Sequence, residues 1–195
     1  RRAFALLRTF ICAHPAVQVR APSRLHFGLF SFGNTGRQFG GVGVMVTQPT
    51  LQLVIRPADA FTPSGPLAEE LAACARRCGE AWGLEDLPLC HLTVQSAPPR
   101  HVGLGSGTQL ACAVAAGLGA WYRRPALSPE DLARATGRGQ RSAVGTYGFV
   151  LGGLIVESGR RSDDVLAPLQ RRLSVPAAWR FVLVDCHAQA GLSGL

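Results

Sequence analysis

Gly103, Gly105 and Gly107 alternate with small or polar residues in the stretch Pro99-Arg-His-Val-Gly-Leu-Gly-Ser-Gly-Thr-Gln109, and the apolar segment 110–122 follows directly. A glycine-rich loop that opens a helix presents free backbone N–H groups at the positive end of the helix dipole, a ready site for phosphate. The chain therefore points first to a ligand that carries phosphate. Its twenty basic residues are all arginine. With no lysine to act as Schiff base or as the phosphate hook of a Walker-A loop, anion binding falls to arginine and to backbone N–H groups.

The bulk composition narrows the class. With 195 residues, 47% hydrophobic and 16% charged, the chain is long and apolar enough for a packed core and is not disordered. The net charge of +8 raises nucleic acid as a partner, but the arginines are scattered and lack interleaved aromatics, so no nucleic-acid partner is expected. The six cysteines form no CxxC pair and read as buried free thiols, which suits a reducing cytoplasm. The longest apolar run, 110–122, is shorter than the ~20 residues of a spanning helix, so no membrane is expected either. Residues 1–12 are basic and then apolar but lack a cleavage site, and the chain starts without Met. An N-terminal fragment, or a start read too far upstream, is the expectation.

Periodicity places the elements. Residues 17–21 alternate as a strand that Pro22 breaks, and 25–30 form a second short strand. The segment 33–43 carries five glycines and reads as loop. Residues 43–47 and 51–56 read as an antiparallel pair joined by Gln48-Pro49-Thr50. Leu67, Leu71, Cys74, Cys78 and Trp82 recur every three or four residues and predict a helix over 66–82, ended by Gly83. A strand over 90–95 leads into the glycine loop and its helix, which is apolar all round and so belongs in the core. Ser128-Pro-Glu-Asp131 opens another helix, with Ser128 as cap. A polar loop covers 136–145, a strand with a Gly152-Gly153 break covers 147–157, and a deeply buried strand covers 179–185. The sum is an α+β fold.

Four stretches in order carry a resemblance: Ala21-Pro-Ser-Arg-Leu-His-Phe-Gly-Leu-Phe30, Arg37-Gln-Phe-Gly-Gly-Val-Gly43, Gly103-Leu-Gly-Ser-Gly-Thr-Gln109 and Arg138-Gly-Gln-Arg-Ser-Ala-Val-Gly145. They resemble the GHMP kinase superfamily and, within it, the β-ribofuranosylaminobenzene 5′-phosphate synthases, over about residues 17–195. The resemblance implies a GHMP-type N-terminal domain over 17–175, a two-layer βαβ fold like that of a ribosomal protein. A peripheral extension over 1–16 precedes it, and a truncated C-terminal α+β domain begins over 176–195.

The implied reaction condenses phosphoribosyl pyrophosphate with 4-aminobenzoate or 4-hydroxybenzoate. It releases CO2 and pyrophosphate, and its product feeds the synthesis of a methanopterin-type one-carbon carrier. Pyrophosphate leaves with growing charge, which the N–H groups of Gly103, Leu104, Gly105, Ser106, Gly107 and Thr108 and the hydroxyls of Ser106 and Thr108 suit. Arg24, Arg37, Arg138 and Arg141 lie in polar glycine loops, where guanidinium forks bind carboxylate or phosphate. Arg24, His26, Arg141 and Ser142 are the catalytic candidates, and Ser23, Arg37, Gly40, Gly41 and Arg138 the substrate-binding ones. His26, between Leu25 and Phe27, reads as an acid or base or as a packed structural histidine; His101 and His187 are further candidates for ligand contact. Mg2+ on the diphosphate is expected, with Asp185 as the one candidate ligand. Homodimerisation is a family-level expectation.

Two alternatives stand beside this reading. One is an ATP-dependent small-molecule kinase of the same fold; the other is a non-catalytic module that binds a ligand or RNA. GHMP kinases carry S-G-x-D where this chain has Ser142-Ala-Val-Gly145, and no carboxylate lies between Asp131 and Glu157. That absence disfavours the kinase, whose nucleophile needs orienting.

Overall fold

The computed structural model describes residues 16–31, 36–100 and 102–184. The expectations for 1–15, His101, Asp185, Cys186, His187 and the turn at 191–194 lie outside the described residues. The elements run β1 (Val17–Phe30), β2 (Gly40–Pro57), β3 (Thr62–Ser64), α1 (Ala68–Trp82), β4 (Cys90–Ser96), α2 (Ser106–Trp121), α3 (Pro129–Thr136), α4 (Val144–Leu151), β5 (Leu154–Glu157) and β6 (Leu169–Leu173). All six strands join one sheet, in which β3-β4-β2-β5-β6 are successive neighbours and β1 pairs with β2. This is the α+β fold that the sequence predicts.

The central strand, β2, corrects the expected hairpin. Residues 43–47 and 51–56 do not pair with each other; both pair antiparallel with β1, while β4 and β5 take the two ends of β2. Gln48-Pro49-Thr50, the supposed turn, is a bulge: the ladder steps from Ala21 opposite Leu51 to Ser23 opposite Val46. Ser23 Oγ donates to the Pro49 carbonyl at 2.6 Å and Thr50 Oγ1 donates to the Ala21 carbonyl at 3.0 Å, which satisfies backbone groups that the ladder leaves open. The same bonds let β1 run through Pro22 as one strand.

Helix α2 lies in the core as its all-round apolarity requires. Leu110, Cys112, Val114 and Leu118 are buried in one cluster with Leu51, Leu53 and Ile55 of β2 and Leu71 of α1. Gly117 permits the contact, because a Cβ there would meet Ile55 Cδ1 at 2.8 Å. Cys78, Cys90 and Cys112 are buried free thiols, and burial pushes each up to about 12, which leaves them inert at neutral pH.

Two further expectations change. The first half of the expected strand 147–157 is helix α4, and only Leu154–Glu157 beyond Gly152-Gly153 is strand. A short apolar run has no period that separates strand from helix; here Gly145 and Gly148 let the segment pack closely on Thr108 and Met45. Residues 179–184, expected to be a buried strand, form no strand, and Val182 and Val184 are 85% and 86% exposed. Among the described residues no strand pairs with them.

Helix α3 shows the expected cap. Ser128 Oγ accepts from the Asp131 N–H, and the Asp131 carboxylate accepts from the Ser128 N–H. Ser128→Ala should cost about 1 kcal/mol of stability, measured by urea unfolding; an unchanged midpoint would show that the box contributes nothing.

Candidate functional site

The glycine loop is fixed at both ends. Gly105 is the cap residue of α2, at φ 70°, and Gly103 stands at φ 80°, a left-handed conformation that glycine adopts without strain. The Leu104 carbonyl accepts the Arg24 N–H at 2.9 Å, clipping the loop to β1. No side chain caps α2, so its first N–H groups have no side-chain acceptor. A Cβ at Gly105 would meet Arg24 Nε at 3.2 Å, so only glycine lets the loop lie flat on the Arg24 side chain.

A cleft of about 400 Å3 opens between β1, the first turn of α2 and the segment 137–142. Arg24, His26, Thr108, Arg138, Arg141 and Ser142 all line it. All four predicted catalytic residues therefore meet here, with Arg138 and one member of the phosphate loop. Among the described residues that line it, the charged side chains are arginines and the one other titratable side chain is His26, so the wall suits an anion. Arg138 also lies beside Gly107, where a Cβ would stand 3.8 Å from its Nη2.

The rest of the glycine loop faces elsewhere. Ser106 and Gly107 line a smaller pocket of about 160 Å3 that Arg138 and Arg100 also border, and Gly103 and Leu104 line an apolar cleft of about 520 Å3 beside Leu25 and His26. The loop thus presents itself to three clefts, and Arg138 bridges two of them.

Three expected substrate residues take other places. Ser23 is fully buried and spends its hydroxyl on the Pro49 bulge. Arg37 bonds Asp164 at 2.5 Å and the Gly159 carbonyl at 3.2 Å, fastening the segment before β2 to the segment after β5. Gly40 packs against the backbone of Ser158 and Gly159. Gly41 does belong to the site, as a spacer. A Cβ there would meet Glu157 Oε1 at 2.8 Å, His26 Cε1 at 3.1 Å and Ser142 Oγ at 3.5 Å.

Glu157 is the residue that the sequence reading missed. It is 4% exposed, and its Oε1 accepts the Ser142 hydroxyl at 2.7 Å and the Ala143 N–H at 2.9 Å. The available signal was strand alternation, since Glu157 shares the buried face of β5 with Ile155. Glu157 Oε2, Arg24 Nε and both ring nitrogens of His26 are buried without hydrogen-bond partners. Burial pulls the Arg24 guanidinium below its usual value, against the pull of Glu157. Burial pushes the Glu157 carboxyl up, opposed by the bonds from Ser142 and Ala143 and by Arg24. His26 is held below the usual imidazole range by burial and then by Arg24.

Asp185, the candidate ligand for the expected Mg2+, lies outside the described residues. Among the described residues no three His, Cys, Asp or Glu side chains gather to hold a metal. Among the same residues no helix is long and apolar enough to cross a membrane.

Residues 69–153 match the GHMP kinases N terminal domain. The chain is similar to the beta-ribofuranosylphenol 5'-phosphate synthase of Methanothermobacter thermautotrophicus, 34% identical over 90% of this chain and 60% of that protein. It is 31% identical to the protein of the same name from Archaeoglobus fulgidus, over 86% of this chain and 56% of that one. The chain thus spans little more than half the length of these curated relatives. Among solved structures, the mevalonate kinase of Methanococcus jannaschii superposes with a TM-score of 0.56 at 10% identity, covering 77% of this chain and 57% of that one. A homoserine kinase from Cytophaga hutchinsonii gives 0.57 at 18% identity, covering 86% and 55%. These two likenesses establish the fold alone.

His26 should titrate below the ~6.5 of a free imidazole and be neutral at neutral pH. The folded chain then holds fewer protons on this group than the unfolded chain, so its contribution to stability falls as the pH drops through that window. An NMR titration, with the Cε1 resonance assigned through His26→Gln, checks this; a midpoint above that of free imidazole would contradict it.

Proposed function

We propose that this chain, whose residues 69–153 match the GHMP kinases N terminal domain, serves a synthase which joins phosphoribosyl pyrophosphate to 4-hydroxybenzoate. The bond from C1′ to the diphosphate oxygen breaks, and its electron pair leaves with pyrophosphate. The ring carbon that bears the carboxylate bonds to C1′. The bond from that carbon to the carboxylate breaks, CO2 departs, and the electron pair returns to the ring. The product is a β-ribofuranosylphenol 5′-phosphate, the compound in the relatives' names, which supports the hydroxy over the amino substrate. Its use in a methanopterin-type one-carbon carrier belongs to the same proposal.

The observation that carries this reading is the cleft in which Arg24, Arg138 and Arg141 surround Thr108 at the start of α2. Arg138, Arg141, the Thr108 hydroxyl and the first N–H groups of α2 take the diphosphate and stabilise its growing charge. Arg24 and His26 face the reacting end, where the benzoate carboxylate needs a cationic partner until it leaves as CO2. Kinase chemistry has less support. Gly145 stands where kinases of the superfamily carry an aspartate, and a Cβ there would already meet Thr108 Cγ2 at 3.1 Å. Glu157, the one buried carboxylate nearby, is absent from the lining of the cleft.

Calorimetric titration of the protein with phosphoribosyl pyrophosphate and, separately, with ATP is the test. Binding of the former, weakened about tenfold or more by Thr108→Ala combined with Arg141→Ala, is expected, because hydrogen bonds to charged groups contribute about 1.5–3 kcal/mol each. Tight ATP binding with no binding of phosphoribosyl pyrophosphate would overturn the synthase reading in favour of a kinase.

A further inference from the structure

Glu157 stands behind the cleft wall and holds two parts of it at once. It ends β5, and its Oε1 accepts from Ser142, the last residue of the segment that carries Arg138 and Arg141. The same oxygen accepts the Ala143 N–H at the start of α4, and Ser142 Oγ in turn accepts the Val144 N–H at 3.3 Å. Gly41 keeps the space that lets Glu157, His26 and Ser142 approach one another.

A buried carboxylate is a costly way to close a strand end, and an apolar side chain of similar volume would do it without desolvating a charge. The charge makes sense where it fixes the directions of other charged groups. We infer that Glu157 is a positioning residue of the anion cleft: through Ser142 and Ala143 it sets the 138–142 segment, so that Arg138 and Arg141 face the cleft that Arg24 also lines. It does not touch the ligand. This inference rests on the diphosphate reading given above.

The test compares Glu157→Gln, Ser142→Ala and Ser142→Thr with the wild-type protein. For each, the affinity for phosphoribosyl pyrophosphate is measured by calorimetry and the thermal midpoint is recorded. Glu157→Gln and Ser142→Ala should each weaken binding about tenfold, as loss of a bond to a charged group does. The thermal midpoint of Ser142→Ala should stay close to that of the wild type, and Ser142→Thr, which keeps a hydroxyl, should restore binding. In turnover the loss in Glu157→Gln should fall on KM for phosphoribosyl pyrophosphate and not on kcat. If Glu157→Gln does not fold, the serine pair decides alone. Wild-type affinity in Ser142→Ala, or loss in both serine variants alike, would overturn the positioning role while leaving the diphosphate reading intact. A wild-type protein that binds no phosphoribosyl pyrophosphate would overturn the diphosphate reading and this inference with it.

Discussion

Gly41 has no side chain, and the space that one would fill is where the sheet meets the cleft. His26 reaches it from β1, Glu157 from β5 and Ser142 from the segment between α3 and α4. The approach is so close that a single methyl group would collide with the Glu157 carboxylate at 2.8 Å. Much of the site follows from this contact. The carboxylate can reach Ser142 and Ala143 only because β2 is bare at this point. The 138–142 segment is then held where Arg138 and Arg141 face Arg24. Three arginines and a histidine line the cleft, and a wall of that character suits an anion.

Helices α1 and α3 were legible because their signals are local. The three-and-four spacing of Leu71, Cys74 and Cys78 gave α1, and the Ser128 box gave the start of α3, since each is complete within one or two turns. Strand pairing is not local. Gln48-Pro49-Thr50 has the composition of a turn, and only the presence of β1 alongside makes it a bulge. The segment 144–151 is apolar on every side, so its sequence carries no period, and its helical state follows from packing on β2 and Thr108. Strands β3 and β6 are too short, and β6 too exposed, to show an alternation.

The site was legible to a similar depth. Arg24, Arg138 and Arg141 stood out because they interrupt glycine-rich stretches away from helix faces, and the fold brings all three to one cleft. Arg37 has the same local context but meets Asp164, a partner more than a hundred positions away that no local pattern reveals. Ser23 looks like a binding residue in its motif and is instead consumed by the bulge. Glu157 looked like the polar end of an apolar strand, and its role depends on Gly41, far from it in sequence. The family resemblance supplied the reaction; the residues supply the reason that an anion would settle beside α2.

The central claim is that the diphosphate lies in the arginine cleft, across the first turn of α2. A crystal structure of the protein with phosphoribosyl pyrophosphate tests it most directly. The account predicts diphosphate oxygens within hydrogen-bond distance of Arg138, Arg141 and Thr108, with the ribose directed toward Arg24 and His26. A diphosphate held instead in the smaller pocket beside Leu51, Cys74 and Leu110, out of contact with Arg141, would contradict it.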